Sequence, residues 1–290
     1  MSILHTRLRI FSMNTFRNLH SITSFSPDEG DAYENDPLFM RSVARAVAVI
    51  SAFQNARHPL SLNQIATAAG INRSAAQRIV YTYMKLGMIT RDPEDRGYLP
   101  GLRSLDITHD FLRLNPMLLK ANQIMLALRR QVGERVDLSI FDDVRVVYAV
   151  RMPSKNEIFN ATLVGHAVPT YCTAGGVAIL SCLPDHKIAD IVARSDLTPF
   201  TPHTIRTVEE VMEQVRAARE RGHSVLSRQL LNHEIVVGAP ILDSCSAPVG
   251  ALHLAGSLQE WTAEDFSNKF GPLVQDAAQI ISEKPPRKTL

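Results

Sequence analysis

Arg73, Ser74, Gln77, Arg78, Tyr81 and Lys85 recur at separations that an α-helix brings onto one face, opposite Ala76, Ile79, Tyr83 and Leu86. Six donor-bearing side chains with no acid among them have the chemistry of nucleic-acid recognition. Arg73, Ser74 and Gln77 can reach base edges in a major groove, and Arg78, Tyr81 and Lys85 can reach phosphates. Two further cations, Arg91 and Arg96, follow in a turn-rich segment and are candidates for backbone contacts.

A different chemistry is open to Cys172, a potential thiol nucleophile beside Thr173, with His166 or His253 as its base. Nothing in the sequence brings these groups together, and a buried inert thiol satisfies the same pattern. His233-Glu234 is an isolated pair of the kind usually found in solvent. G-x-S-x-G, H-E-x-x-H, G-x-G-x-x-G and Walker loops are all missing from the sequence. No close-spaced His/Cys pair calls for a metal, and no motif calls for a cofactor. The reading is therefore a binding protein without a catalytic residue. The competing reading is a small-molecule-processing enzyme that uses its helical N-terminal module only for assembly.

The elements that must position the first constellation are legible. Ser61 and Gln64 form an S-x-x-Q capping box before a helix with Leu62, Ile65, Ala66 and Ala69 on its apolar face. Gly70 can end that helix in the left-handed conformation, and Asn72 can cap the next, expected over 73–86. A glycine turn between two short helices, the second polar-faced, predicts a helix-turn-helix. Strands over 88–91 and 98–100 flank Asp92-Pro93-Glu94-Asp95-Arg96-Gly97, which predicts a hairpin wing. Upstream, Val43, Val47, Ile50 and Phe53 predict a first helix.

Residues 41–100 hold eight basic side chains against three acids, a net of +5, whereas the whole chain is only +2. A basic module without acids before residue 92 suits a phosphate partner, because acids on that face would oppose approach to DNA. With 45% apolar and 21% charged residues the composition is that of a globular protein. No apolar run reaches the about 18 residues that a membrane span needs. Three scattered cysteines, Cys172, Cys182 and Cys245, predict reduced and mostly buried thiols in a cytoplasmic protein rather than a disulfide framework. Residues 1–39 read as a disordered extension. A transit peptide and a start codon placed before the true domain are its alternatives.

Beyond a winged helix over 40–101, a linker helix over 102–115 is expected, with Leu105, Phe111, Leu112 and Leu114 as its apolar positions. Asn115 and Pro116 restart the chain as N-cap and first helical residue. A C-terminal domain over 116–283, followed by a tail over 284–290, alternates strands and helices. Strands are expected over 136–141, 144–152, 158–164, 235–242 and 249–255. Helices are expected over 117–132, 176–182, 185–194, 208–221 and from 262 to about 281. The fold class is α+β, an antiparallel sheet covered by helices and large enough to enclose a pocket.

The chain resembles the IclR-type transcriptional regulators. The matching residues are Ser42-Val43-x-Arg45-Ala46-Val47, Ile65-Ala66 with Gly70, Arg78-Ile79-x-x-Thr82 before Gly87, and Tyr98-x-x-Gly101. Later come Gly165 before Pro169, Thr173-Ala174-Gly175-Gly176 with Ala178-Ile179-Leu180, Arg221-Gly222, and Ala239-Pro240-Ile241-x-Asp243. The resemblance spans about residues 40–282 and rests on the order and spacing of these motifs. It implies a winged helix-turn-helix, Thr82 included among its DNA-facing residues, joined by a linker helix to a GAF-like effector-binding domain. Homodimers or homotetramers that bind double-stranded operators beside catabolic genes are implied too, with repressor and activator both open. The implied effectors are small organic or aromatic acids. They would meet the backbone at Ala174, Gly175 and Gly176, together with Leu226 on a loop and Val236, His253 and Ala255 on strands.

The chain departs from the family where many members carry acids after Arg221-Gly222, since it has Leu226-Ser227-Arg228-Gln229. Val177 replaces a frequent lysine, and Val236, His253 and Ala255 stand where serines or a cysteine are common. These departures predict a more apolar pocket whose ionisable group is His253, better protonated in the complex than in the free protein. A core histidine bonded to backbone is the alternative.

Overall fold

The computed structural model describes residues 37–54, 56–154 and 164–283, which divide into two compact units between Ile124 and Met125. The expected strand over 158–164 falls almost wholly outside the described residues. The N-terminal extension up to residue 36 and the tail over 284–290 lie outside them too.

In the N-terminal unit, α1 (Arg41–Ser51), α2 (Leu62–Ala68) and α3 (Arg73–Lys85) precede a hairpin of β1 (Ile89–Arg91) and β2 (Tyr98–Pro100). The capping box at the start of α2 is formed: Ser61 Oγ accepts from the Gln64 amide and Gln64 Oε1 accepts from the Ser61 amide. Gly70 sits at φ 61°, and Asn72 Oδ1 accepts from the Ala75 amide at 2.8 Å, so the turn is built as its residue types require. Ala48, Val49, Leu60, Ile65, Ala69, Val80 and Ile89 make the core.

Two apolar faces differ from expectation. In α1 the buried residues are Ala48 and Val49, while Val43 and Val47 stay largely exposed. In α3 Val80 is buried, Ile79 and Tyr83 pack at the edge of the core, and Leu86 is exposed past the helix end. A helix as short as α1 touches its neighbours through only part of its length, so the apolar residues outside that arc stay in solvent.

The helix expected as a linker is α4 (Arg103–Leu114), and none of its residues is buried. Leu105, Phe111 and Leu114 are all more than half exposed, so its apolar positions are not core positions within the chain. Then α5 (Pro116–Val132) starts as expected, with the Leu118 amide donating to Asn115 Oδ1, and it is followed by Gly133 at φ 76°.

The C-terminal unit is built on an antiparallel six-stranded sheet in the order β5-β4-β3-β8-β7-β6. The strands are β3 (Arg135–Asp142), β4 (Arg145–Met152), β5 (Ala167–Pro169), β6 (Ser224–Ser227), β7 (Glu234–Leu242) and β8 (Pro248–Ser257). Both edge strands, β5 and β6, are short additions that the hydrophobic pattern did not announce. Leu226, expected on a loop, lies in β6 opposite Val236. Helices α6 (Ala174–Leu180), α7 (Asp185–Arg194), α8 (Val208–Arg221) and α9 (Ala263–Ile281) complete the unit.

Alternation along the strands separates two faces. Gly256 looks onto the ring of Phe266, where α9 buries Phe266, Phe270, Val274 and Ile281. Gly238 and His253, partners of each other in the β7–β8 ladder, belong to the other face, covered by α6: a Cβ on Gly238 would approach Ala174 O to 2.9 Å. On that face Gly176 packs so closely over the Thr170 carbonyl that a Cβ would lie 1.9 Å from its oxygen. This contact explains why the turn into α6 must be glycine.

Candidate functional site

On the N-terminal unit, Arg73, Ser74, Gln77, Arg78, Tyr81, Thr82 and Lys85 are all exposed on α3. The structure thus brings the expected residues onto one solvent-facing surface. Arg73 also bonds Asn63 Oδ1 of α2, which fixes its guanidinium near the helix turn. Lys85 Nζ lies 5.4 Å from the Tyr81 ring centre. Thr82 Oγ1 donates back to Arg78 O at 2.9 Å, so its hydroxyl is directed at its own helix rather than outward.

The wing cations are more constrained than their sequence suggested. Arg96 Nε donates to Asp92 Oδ2 at 2.8 Å, and the same carboxylate accepts from the Arg96 amide. The Asp92 side chain is only 3% exposed, and its bond to Arg96 holds its carboxyl below the usual carboxylate range. Arg91 pairs with Asp95 in the same turn. Both cations are therefore partly neutralised by acids of the wing, because the tight turn that exposes them also returns the acids beside them.

On the C-terminal unit, a narrow cleft that opens partly to solvent lies between α6 and the sheet. Ala174, Gly175, Leu226, Val236 and His253 all line it. Gly176 and Ala255 do not. The Gly176 amide donates to Thr173 Oγ1 at 3.1 Å as part of the N-cap of α6, and Ala255 is a buried neighbour of Val236 in the ladder. Gly175 must remain without a side chain, since a Cβ there would come within 2.9 Å of His253 Nε2.

His253 is neither a backbone-bonded core histidine nor a group ready to take a proton. Its Nε2 lies 2.9 Å from Ser139 Oγ, and its ring centre is 5.5 Å from that of Tyr148. Burial first, then Arg135 and Arg151, push its pKa down to about 3, against the opposing effect of Glu234. Without a ligand the imidazole is therefore held neutral, by burial first and by the charges of Arg135 and Arg151 second.

The lining is also more polar than expected. Tyr148, Cys172, Thr173, Arg228, Gln229, Leu230 and Glu234 join it. Glu234, read as solvated, is mostly buried and accepts from Arg135 Nη2 at 2.5 Å. Arg135 Nε also donates to the buried Asp137 at 2.8 Å, and Arg151 approaches Asp137 to 3.8 Å. This network was hidden because strand registry, not sequence proximity, brings residue 234 to residue 135. Arg228 did carry a signal: it is the basic residue in the stretch where acids were expected. Thr173 carried one as the natural cap of the α6 turn.

Cys172 does line the cleft with His253, so the thiol and imidazole share a cavity wall. Burial pushes the Cys172 thiol up to about 12, while His253 is pushed down. Thiolate and imidazolium are both disfavoured, which is the opposite of an activated nucleophile–base pair. Cys182 and Cys245 are exposed, contrary to the expectation of mostly buried thiols. No group of three or more His, Cys, Asp or Glu suited to a metal occurs among the described residues. Nor is any described helix long and apolar enough to cross a membrane.

A winged helix-turn-helix on one unit and a sheet-borne cleft on another define the class of transcriptional regulators that carry a DNA reader and a sensor in one chain. Residues 42–93 match the IclR helix-turn-helix domain, and residues 110–283 match the bacterial transcriptional regulator IclR C-terminal domain. The chain belongs to the IclR family of transcriptional regulators. It is 27% identical over 251 residues to the Pca regulon regulatory protein of Pseudomonas putida, covering 86% of each chain. Its fold is similar to that of an IclR transcriptional regulator from Alicyclobacillus acidocaldarius, with a TM-score of 0.74 and 21% identity over 84% of this chain and 98% of that one. It is also similar to an IclR homologue from Microbacterium hydrocarbonoxydans complexed with 4-hydroxybenzoate, with a TM-score of 0.67 and 19% identity over 83% and 97% of the two chains.

Proposed function

We propose that this regulator binds operator DNA through α3 and is controlled by a small organic acid, aromatic acids foremost, held in the cleft between α6 and the sheet. The observation that carries this reading is the cleft itself: a bounded space with apolar walls at Leu226 and Val236, an inward turn at Ala174-Gly175, and a few convergent polar groups. Arg73, Ser74 and Gln77 lie nearest the bases, while Arg78, Tyr81 and Lys85 meet phosphates and the wing follows the backbone. Thr82 supports the helix rather than the DNA. A homodimer presents two such helices to a pseudo-palindromic site, in keeping with two-fold symmetry. The exposed apolar positions of α4 are suited to that pairing. Ala255 lies beyond the cleft wall and acts through Val236, its ladder partner. The genes controlled are those for breakdown of the effector, in the cytoplasm.

The ligand acts by binding one arrangement of the reader more tightly than another, since equal affinity for both would shift nothing. Fluorescence anisotropy of the full chain on DNA from upstream of its own gene tests the reading. Salt-sensitive binding that one acid of a panel including 4-hydroxybenzoate strengthens or releases supports it. Operator binding that no acid alters would remove the sensor from the proposal.

A further inference from the structure

We propose that Arg228 anchors the carboxylate of a monoanionic ligand, so that the charged end lies at the solvent side of the cleft and the apolar body runs inward over Leu226 and Val236. This rests on the cleft being the effector site. Within that reading it sets the direction of binding and the number of charges accepted.

Arg228 is exposed yet lines the cleft, whereas Tyr148, Cys172, Ala174, Gly175 and His253 on its other walls are buried. Among the described residues no carboxylate pairs with it. The remaining ionised groups on or just behind the wall are matched: Glu234 and Asp137 against Arg135 and Arg151. With His253 neutral, the cleft carries one uncompensated positive charge, that of Arg228. A guanidinium in this position offers two parallel donors to a carboxylate.

The position of Arg228 is built rather than incidental. Its backbone is left-handed, at φ 59°, a conformation a non-glycine residue keeps only where its surroundings determine it. The Arg228 amide donates to Glu234 O at 2.9 Å, and Thr201 Oγ1 donates to Arg228 O. Next to it, Gln229 O accepts from Thr204 Oγ1 at 2.7 Å, and Gln229 Oε1 accepts from the Ile205 amide at 2.9 Å. The 201–205 loop thus straps the Arg228 segment in place.

The other seat for an anion, the turn into α6, is weaker. The Gly176 amide is occupied by Thr173 Oγ1, and a helix of seven residues offers little dipole. A dianion would set one charge against Glu234, and the described lining residues offer it no second cation, so dicarboxylates bind less tightly than monoacids.

Calorimetric titration of the full chain with benzoate, 4-hydroxybenzoate and cyclohexanecarboxylate, each against its primary amide, and with terephthalate tests this. The acids bind the wild-type protein more tightly than their amides and than terephthalate. Arg228→Gln weakens the acids about 10- to 100-fold, the usual range for a charge-assisted hydrogen bond, and leaves the amides unchanged. Arg228→Lys retains part of the preference. Val236→Phe, or Val236→Met if the larger side chain upsets folding, weakens acids and amides alike by filling the cleft. Wild-type-like acid binding by Arg228→Gln, with loss in the Val236 variants, keeps the cleft and overturns the anchor. Unchanged binding in all of these variants places the ligand elsewhere and overturns the cleft reading too. A wild-type protein that holds no acid better than its amide overturns the anchor directly.

Discussion

His253 Nε2 and Ser139 Oγ lie 2.9 Å apart on adjacent strands, directly beneath the spot where a side chain on Gly175 would have to fit. The pair joins β8 to β3, and the imidazole it holds is buried away from solvent.

That dryness has a pH signature. The pKa of His253 is lowered from 6.5 to about 3 by folding, so the unfolded chain takes up a proton in this window and the folded chain does not. The stability contributed by the neutral imidazole is complete above 6.5 and is lost as pH falls from there towards about 3. The slope reaches at most about 1.4 kcal/mol per pH unit. Urea unfolding of wild type and His253→Gln at pH 7 and pH 4.5 checks this: the wild type loses more stability between the two than the variant. Equal losses would assign the acid sensitivity to other groups.

The two glycines of the α6 turn differ in what they protect. Gly176→Ala drives a methyl into the Thr170 carbonyl, a backbone atom that cannot step aside, and costs about 1–3 kcal/mol. Gly175→Ala meets side-chain atoms instead, the His253 ring at the cleft wall and Ser139 Oγ. It therefore costs less stability but closes the cleft. Thermal melts and ligand titrations of the two variants separate the effects.

Asp92 offers a test in which charge and structure predict opposite signs. Deleting an acid beside DNA strengthens binding by Coulomb's law alone. Here the carboxylate holds the wing turn through both Arg96 Nε and the Arg96 amide. Asp92→Ala therefore weakens operator binding and raises amide exchange over residues 92–97. Tighter binding by this variant would mean the turn does not need its carboxylate.

Gln77→Ala changes which operator sequence is preferred, whereas Lys85→Ala weakens all DNA similarly and lowers the slope of log K against log salt by about 1. Selection from a random DNA pool and anisotropy at several salt concentrations distinguish them. The reverse pattern would exchange the two roles.

Leu105 and Phe111, both more than half exposed on α4, are the positions that test the chain pairing proposed for this helix. Leu105→Glu with Phe111→Glu lowers the sedimentation mass and the operator affinity while leaving the helix content of the chain intact. An unchanged mass would move the contact elsewhere.

Local signals were enough to read the helix-turn-helix. The caps at Ser61 and Asn72, the left-handed Gly70 and the 3.6-residue spacing of α3 all act within a few residues, so the chain announces them before it folds. The same holds for α7 and α8, whose amphipathic spacing is local, for the Thr207 cap that starts α8, and for the α+β class. Which side of α1 is buried was not legible, because Ala48 and Val49 are chosen by what they touch and not by the longer apolar pattern through Val43 and Val47. The short edge strands β5 and β6 escaped for a related reason: each is a strand only because a neighbour pairs with it. The character of the cleft was decided last and at the longest range. Registry carries Glu234 to Arg135 and Asp137 opposite His253, and burial, reinforced by Arg135 and Arg151, keeps that imidazole neutral. Arg228 is left as the exposed cation of the lining. Sequence determined the residue types and local geometry, since those follow from torsions and near-neighbour hydrogen bonds. Charge balance in the site depended on burial and on pairs almost a hundred residues apart, which only tertiary structure supplies.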